Sequence, residues 1–325
     1  MTDPVTVDAL VDPVAGLEPA TTTTGPVSRA EAEAADDRSH GVWIDAWRIL
    51  RRKPVFLISA GVILLLALMA FFPGWFASGD PNRGVLAHSL QGPSADGWFG
   101  FDVNGRNVYT RVVYGTRASL TVGFACTLGT TLIGIVLGAV AAYSGGLVDT
   151  VISRVADMLL GIPFALAAII VLSTLTTFTT PNWRVEIILI LTIVVFGWPS
   201  IARVLRATVL TTRNADYVVA GQALGLSGVR VLFRHILPNA VSPILVLSTM
   251  RVGGYIATEA SLSYLGLGLR PPAVSWGQMV SDGQAYLRTA FHVLLFPSIF
   301  LAITILAFVL VGEALREALD PANRR

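Results

Sequence analysis

Apolar residues gather into long runs along the chain, separated by shorter polar stretches. Crossing a hydrocarbon core of about 30 Å takes about twenty helical residues. Six runs meet or approach that length: 56–76, 120–143, 156–178, 187–204, 241–265 and 293–312. Pro163, Pro199 and Pro297 fall in or beside them, which membrane helices tolerate where neighbours satisfy the freed carbonyl groups. The pattern predicts an all-α, polytopic membrane protein with six transmembrane helices. Within the second run, Gly134 and Gly138 form a small-xxx-small pair, the spacing that lets helix backbones approach closely. Packing inside the bundle is the reading favoured over a pore lining.

The polar stretches refine this picture. Residues 1–40 are rich in Thr, Ala, Pro and acids, among them Asp3, Asp8, Glu31 and Asp37. They lack the basic start and short apolar core of a signal peptide and read as a disordered cytoplasmic tail. Residues 41–55 place Trp43, Trp47 and Leu50 on one helical face, with Arg51, Arg52 and Lys53 following. This is the pattern of an interfacial helix; a cytosolic turn leading into the first span is the alternative. Residues 56–325 form the predicted membrane domain.

Charge sets the orientation. Arg48, Arg51, Arg52 and Lys53 precede the first run, Arg206, Arg213, Arg230 and Arg234 lie between the fourth and fifth, and Arg316, Arg324 and Arg325 follow the last. Placing these regions in the cytoplasm satisfies the positive-inside rule and puts both termini there. Segment 78–119 is then external, with Arg83, Arg106, Arg111 and Arg117 against the rule; long loops escape it more readily. The composition agrees: 54% hydrophobic, 14% charged, against roughly a quarter charged in soluble domains. A net charge of +2 is too small to imply nucleic-acid binding.

Segment 205–240 is too long for a passive connection and carries its own order. Asp216 precedes a helical stretch to Leu224, Gly225 sits at a helix stop, and Ser227 is placed to cap a second helix ending before Pro238. Two short helices with a tight corner make a protruding knob whose small residues, Ala220, Gly221, Ala223 and Gly225, let a partner surface come close. An amphipathic loop resting on the membrane is the alternative.

Tyr217-Val-Val-Ala-Gly-Gln-Ala-Leu-Gly225 followed by Phe233-Arg-His-Ile-Leu-Pro-Asn239 resembles the cytoplasmic coupling motif of ABC-importer permeases, departing from it at Val219 and Gly221. Residues 99–111, Glu259 to Gly268 with Pro271, Pro272 and Ser275-Trp-Gly277, and the ending Leu315 to Pro321 are similar to the C-type permease of dipeptide and oligopeptide importers, a family that also serves nickel chelates. The resemblance covers roughly residues 45–325. It implies a type I ABC-importer permease fold in the bacterial cytoplasmic membrane. It further implies a second, homologous permease subunit, one or two ATP-binding subunits that carry ATP and Mg, an external peptide-binding protein, and coupling through Ala220, Gly221, Ala223, Leu224, Gly225 and Leu226.

The residues themselves exclude some chemistry. Lys53 is the only lysine and follows no Gly-rich turn, so no phosphate loop exists in this chain and no cofactor is expected on it. The histidines His40, His88, His235 and His292 are scattered without ligand spacing. Gly225-Leu-Ser-Gly228 spells an intramembrane protease signature, but Ser227 lies in the cytoplasmic corner. Arg251 and Glu259 fall in the fifth run and are candidates for the permease interface or the path, with Glu259 equally readable as a structural hydrogen-bonding residue. An ion-coupled secondary transporter is the rival class; it would use membrane acids such as Asp157, Glu186 and Glu259.

Overall fold

A computed structural model describes residues 42–213, 230 and 237–320. The chain divides into two units between Asp45 and Ala46, and the helical bundle belongs to the unit from Ala46 onward. Ten α-helices are present among the described residues: α1 Val42–Leu50, α2 Pro54–Phe71, α3 Pro73–Phe76, α4 Val108–Ser144, α5 Gly146–Gly161, α6 Phe164–Leu175, α7 Asn182–Arg213, α8 Leu237–Tyr264, α9 Trp276–Gln284 and α10 His292–Leu319. No strand occurs among them; Gly84 with Arg106 and Phe101 with Asn107 make isolated bridges only.

Local chemistry sets the boundaries. Proline starts α2 and α3 at the first helical turn, where its missing N–H is harmless. Asn107 caps α4 by accepting from Thr110 N, and Ser275 caps α9 by accepting from Gln278 N. Helix α4 begins at Val108, well before the apolar run that marked it, because capping and inward packing of Val108, Val112 and Val113 continue the helix through residues the pattern placed in the external segment. The first helix stops at Leu50, short of the 41–55 stretch predicted for it.

Four of the described helices are long and apolar enough to cross a membrane: α2, α4, α7 and α10. The predicted third run, 156–178, is not one straight helix. It is divided between α5 and α6, which meet at 87°. Ile162 is extended, with φ −85° and ψ 126°, before Pro163, the conformation a following proline enforces. Counted as one span, the pair raises the number to five. The fifth predicted run lies in α8, a 28-residue helix that carries Arg251, Glu259 and many small polar residues and is not among those apolar enough to count. Exposed Ile58, Leu64 and Phe71 on α2, and Leu128, Leu132 and Val136 on α4, form apolar outer faces suited to lipid.

Helix α4 is the spine. It makes the most extensive helix pair with α7 and also packs on α8. A Cβ at Gly134 or Gly138 would come within 2.5 Å of Ile201 Cβ or 2.6 Å of the Ala202 carbonyl oxygen, and one at Gly123 within 2.5 Å of Ile256. The small-residue spacing is thus used for packing within the bundle. Antiparallel α8 and α10 meet where Gly253 touches Ile305 and Gly312 touches Met250.

The bundle has two chemically different ends. At one, Asn82 donates to Pro272 O, Asn182 to Arg270 O, and Arg270 to Thr177 O, tying three connections together. At the other, Ala46 and Leu50 of α1 pack on Ala314 and Ala318 of α10, with Lys53 paired to Glu317. The described beginning and end of this unit therefore lie together.

Candidate functional site

The coupling residues Ala220, Gly221, Ala223, Leu224, Gly225 and Leu226 lie outside the described residues, as does the Gly-Leu-Ser-Gly corner. What carries that segment is described. Leu205 and Val209 of α7 pack against Ile244 of α8, with Ala142 of α4 beneath and Leu237 alongside. Leu205, Val209 and Ile244 are at most 1% exposed. The helices flanking residues 214–236 thus stand side by side on a shared apolar base. Helix α7 has 32 residues, or about 48 Å at 1.5 Å per residue, while about 30 Å crosses the hydrocarbon. Its last turns bear Arg203, Arg206 and Arg213.

Beside those turns lies a charged cluster that sequence reasoning did not assemble. Arg206 grips Asp149 of α5 with Nε and Nη2 on the two carboxylate oxygens, 2.6 Å each, a fork-to-fork pair. Arg203 donates to Asp157 at 2.8 Å. Ser153 donates to Asp149 at 3.3 Å. Asp149 and Asp157 are eight residues apart, on one face of α5, and that spacing was the available signal; only the fold brings the arginines opposite it.

Glu259 and Arg251 are not brought together. Glu259 is fully buried and accepts from Ser263 at 2.6 Å and from Ser119 of α4 at 3.4 Å. Around it Trp276 N donates to Ser119 Oγ at 3.5 Å, and Trp276 Nε1 to Val112 O at 2.9 Å. A Cβ at Gly277 would meet Ala260 Cα at 2.5 Å. Helix α9 is therefore seated on α4 and α8 by buried serines, a tryptophan and one carboxylate. Arg251 is half-buried and reaches Tyr255 Oη at 3.5 Å.

At the same end, Asp102 organises residues 80–107. Its oxygens accept from the backbone N–H groups of Asn104 and Arg106 and from Arg106 Nε at 2.7 Å. Arg111, 2% exposed, lies 3.7 Å away and donates to Pro81 O. Segment 80–107 is thus folded onto the start of α4 through a buried carboxylate between two guanidinium groups. Among the described residues no group of three or more His, Cys, Asp and Glu is placed to hold a metal ion.

Four described helices, or five with the bent α5–α6 pair, are long and apolar enough to cross a membrane, which makes this a multi-pass helical membrane protein in class. Residues 134–325 match the family described as binding-protein-dependent transport system inner membrane component, and residues 41–93 match the N-terminal transmembrane domain of oligopeptide transport permease C. The chain is 38% identical to the oligopeptide transport system permease protein OppC of Bacillus subtilis (strain 168) over 95% of its own length and 97% of the relative's. It is 39% identical to the glutathione transport system permease protein GsiD of Salmonella paratyphi A, over 88% of this chain and 92% of that one. Chains from two crystal forms of the inward-facing MetNI methionine ABC transporter share the fold. Their TM-scores are 0.51 and 0.52, at 18% and 17% identity, covering 64% and 65% of this chain and 96% of each.

The chain belongs to the inner-membrane permease family of binding-protein-dependent ABC importers, as a C-type subunit. It is a multi-pass inner-membrane protein and a permease subunit rather than an enzyme, and the family implies ATPase and substrate-binding-protein partners.

Proposed function

We propose that this chain is one permease subunit of an ATP-driven importer of short peptides, spanning the membrane six times with both termini cytoplasmic. Support for the substrate class comes from the relatives, which are named for oligopeptide and glutathione transport. The meeting of α1 with the end of α10 supports an even number of crossings, and α8 supplies a span despite its polar residues because Glu259 is satisfied inside the bundle. A second homologous permease completes the path, an external peptide-binding protein delivers substrate, and one or two ATP-binding subunits hold ATP and Mg. Arg251, half-exposed, remains the candidate for the permease interface or the path; Glu259 acts by seating α9.

The observation that carries the mechanism is the shared base of α7 and α8. A knob mounted on two helices packed through Leu205, Val209 and Ile244 transmits a push into the bundle instead of bending away from it. Ala220, Gly221, Ala223, Leu224, Gly225 and Leu226 form the knob's docking surface for the ATPase. Closure of the ATPases on nucleotide favours one of two arrangements of the helices, and only a difference in affinity between the arrangements drives the change.

Purification in mild detergent with identification of accompanying chains tests the assignment. An ATP-binding subunit and a second permease should come along, and Gly225→Trp should abolish recovery of the ATPase while the chain still inserts. Full copurification and uptake by that variant would refute the docking role. Uptake into vesicles that survives dissipation of ion gradients separates this reading from an ion-coupled transporter.

A further inference from the structure

We propose that α5 is a rigid strap carried by α7, and that Asp149, Asp157, Arg203 and Arg206 are positioning residues that make it follow α7 when the coupling segment moves. The inference rests on the coupling reading above. Both ends of α5 are built to turn. Gly145 and Gly146 join it to α4 at φ +61° and +52°, and a Cβ at either would meet nothing within 4 Å. These glycines therefore answer to backbone conformation rather than to packing. At the other end Ile162–Pro163 breaks the helix at 87° from α6.

Between the two breaks, apolar packing fixes α5 only lightly. Ala156 is its one fully buried residue, resting against Trp198 and Ala202 of α7, with partly buried Ile152 and Leu159 packed beside it. Beside that contact is an unfilled cleft of about 240 Å³ whose lining includes Gly138, Ala141, Ser153, Asp157, Arg203 and Arg206. The cleft leaves room for α5 to slide or tilt, and the ion pairs are what set its position. They grip two points of α5 eight residues apart, roughly 12 Å along its axis, so they fix its direction as well as its distance. A displacement of the end of α7, the helix that leads into residues 214–236, is passed to α5 and through the Pro163 break to α6. Because the inter-helix charges are partly solvated, the pairs supply alignment more than stability.

The complete transporter in proteoliposomes provides the test, with peptide uptake and ATP hydrolysis measured on the same preparation. In Asp149→Asn and Arg206→Gln the ratio of uptake to hydrolysis falls roughly three- to thirty-fold, with the melting temperature unchanged. Exchange of the charges, Asp149→Arg with Arg206→Asp, restores the ratio. An unchanged ratio in the single variants, or a fall that merely tracks lost thermal stability, would overturn the proposal. As a second, independent arm, Ala156→Cys with Ala202→Cys, both lining the cleft, is joined by a short thiol-to-thiol crosslinker; Cys126, fully buried and outside that lining, does not compete. Uptake survives crosslinking if α5 and α7 travel together, and its loss on crosslinking refutes the strap. A wild-type transporter that hydrolyses ATP without importing peptide would instead overturn the functional reading beneath it.

Discussion

Replacing Gly138 by leucine tests whether the α4–α7 crossing is the packing centre of the molecule. A Cβ there lies 2.6 Å from the Ala202 carbonyl oxygen, 3.0 Å from Ala202 Cα and 3.1 Å from Leu205 Cβ. Carbon–oxygen contacts of this kind ordinarily sit at about 3.3–3.6 Å, so the two helices must part by about 0.7–1 Å. A gap of that width forfeits about a quarter to a half of each dispersion contact across the seam, and such overpacking costs about 1–3 kcal/mol. Gly254 on α8 supplies the control, since it is exposed and a Cβ there meets nothing within 4 Å. Both substitutions gain the same helix propensity over glycine, somewhat under about 1 kcal/mol, so that gain cancels in the comparison. At about 2–4 °C per kcal/mol, Gly138→Leu should melt about 2–12 °C below Gly254→Leu. The chain reports its own unfolding, because Cys126 is its only cysteine and is 0% exposed between α4, α6 and α7. A dye that fluoresces on reacting with thiols, added to the purified chain in detergent, gives the melt. If Gly138→Leu melts with or above the Gly254 variant, the crossing is not the tight seam described.

Asp102→Asn keeps acceptors for the backbone N–H groups of Asn104 and Arg106 but removes the counter-charge beside buried Arg111. Breaking a buried pair of this kind costs about 3–5 kcal/mol; limited proteolysis within residues 80–107 should accelerate, and an unchanged cleavage rate would count against the clasp. For Glu259 two substitutions separate hydrogen bonding from size. Glu259→Gln should keep α9 seated, while Glu259→Leu leaves the Ser119 and Ser263 hydroxyls unpaired at about 1–3 kcal/mol each. Thiol labelling at an exposed Gln284→Cys reporter should then quicken in the leucine variant only, and equal labelling in all three backgrounds would refute the seating role. Lys53→Ala removes the pairing with Glu317, an exposed contact worth about 1 kcal/mol or less, and should shift the melt by no more than a few degrees.

The helices that sequence makes plainest are those whose apolar content alone decides them: α2, α7 and α10 lie on their runs, although α2 ends at Phe71 with Pro73–Phe76 a separate turn and α7 extends past both ends of 187–204. The length of α4 was less legible. Its first turns bury Arg111, Thr110 and Thr116, polar residues that read as loop until Asp102 is seen beside Arg111, Asn107 capping Thr110 N and Val112 O accepting from the Thr116 hydroxyl. The third run hid its break because Gly161, Ile162 and Pro163 continue an apolar string, and hydropathy does not register that a proline turns the chain. At the site, Glu259 was visible as a membrane carboxylate, and Ser263 at i+4 on the same helix was within reach of it. No linear spacing joins it to Ser119, 140 residues away. Asp149 and Arg206 were invisible as a pair for the same reason, although two guanidinium nitrogens meet two carboxylate oxygens at 2.6 Å.

The two bundle ends divide the work of a two-state transporter between them. Alternating between arrangements requires stiff bodies joined at a few points that absorb the change. At the end holding segment 80–107, the polar groups are buried and mutually satisfied: Asp102 between two guanidinium groups, Glu259 among serines, Trp276 on Val112 O. Displacing any of these strands a desolvated group, so this end resists deformation. At the end where α7 and α8 rise, the charged contacts are partly solvated, as Arg203–Asp157 shows with side chains 61% and 55% exposed. The chain breaks there at Gly145–Gly146 and turns at Ile162–Pro163. The breaks flex without opening a core, so motion enters at these joints while the Arg206–Asp149 fork keeps α5 aligned with α7. On the function proposed above, a force entering through residues 214–236 acts at the end where the chain breaks, while the end holding segment 80–107 resists deformation, a distribution of stiffness that converts a push at one end into a change of opening at the other.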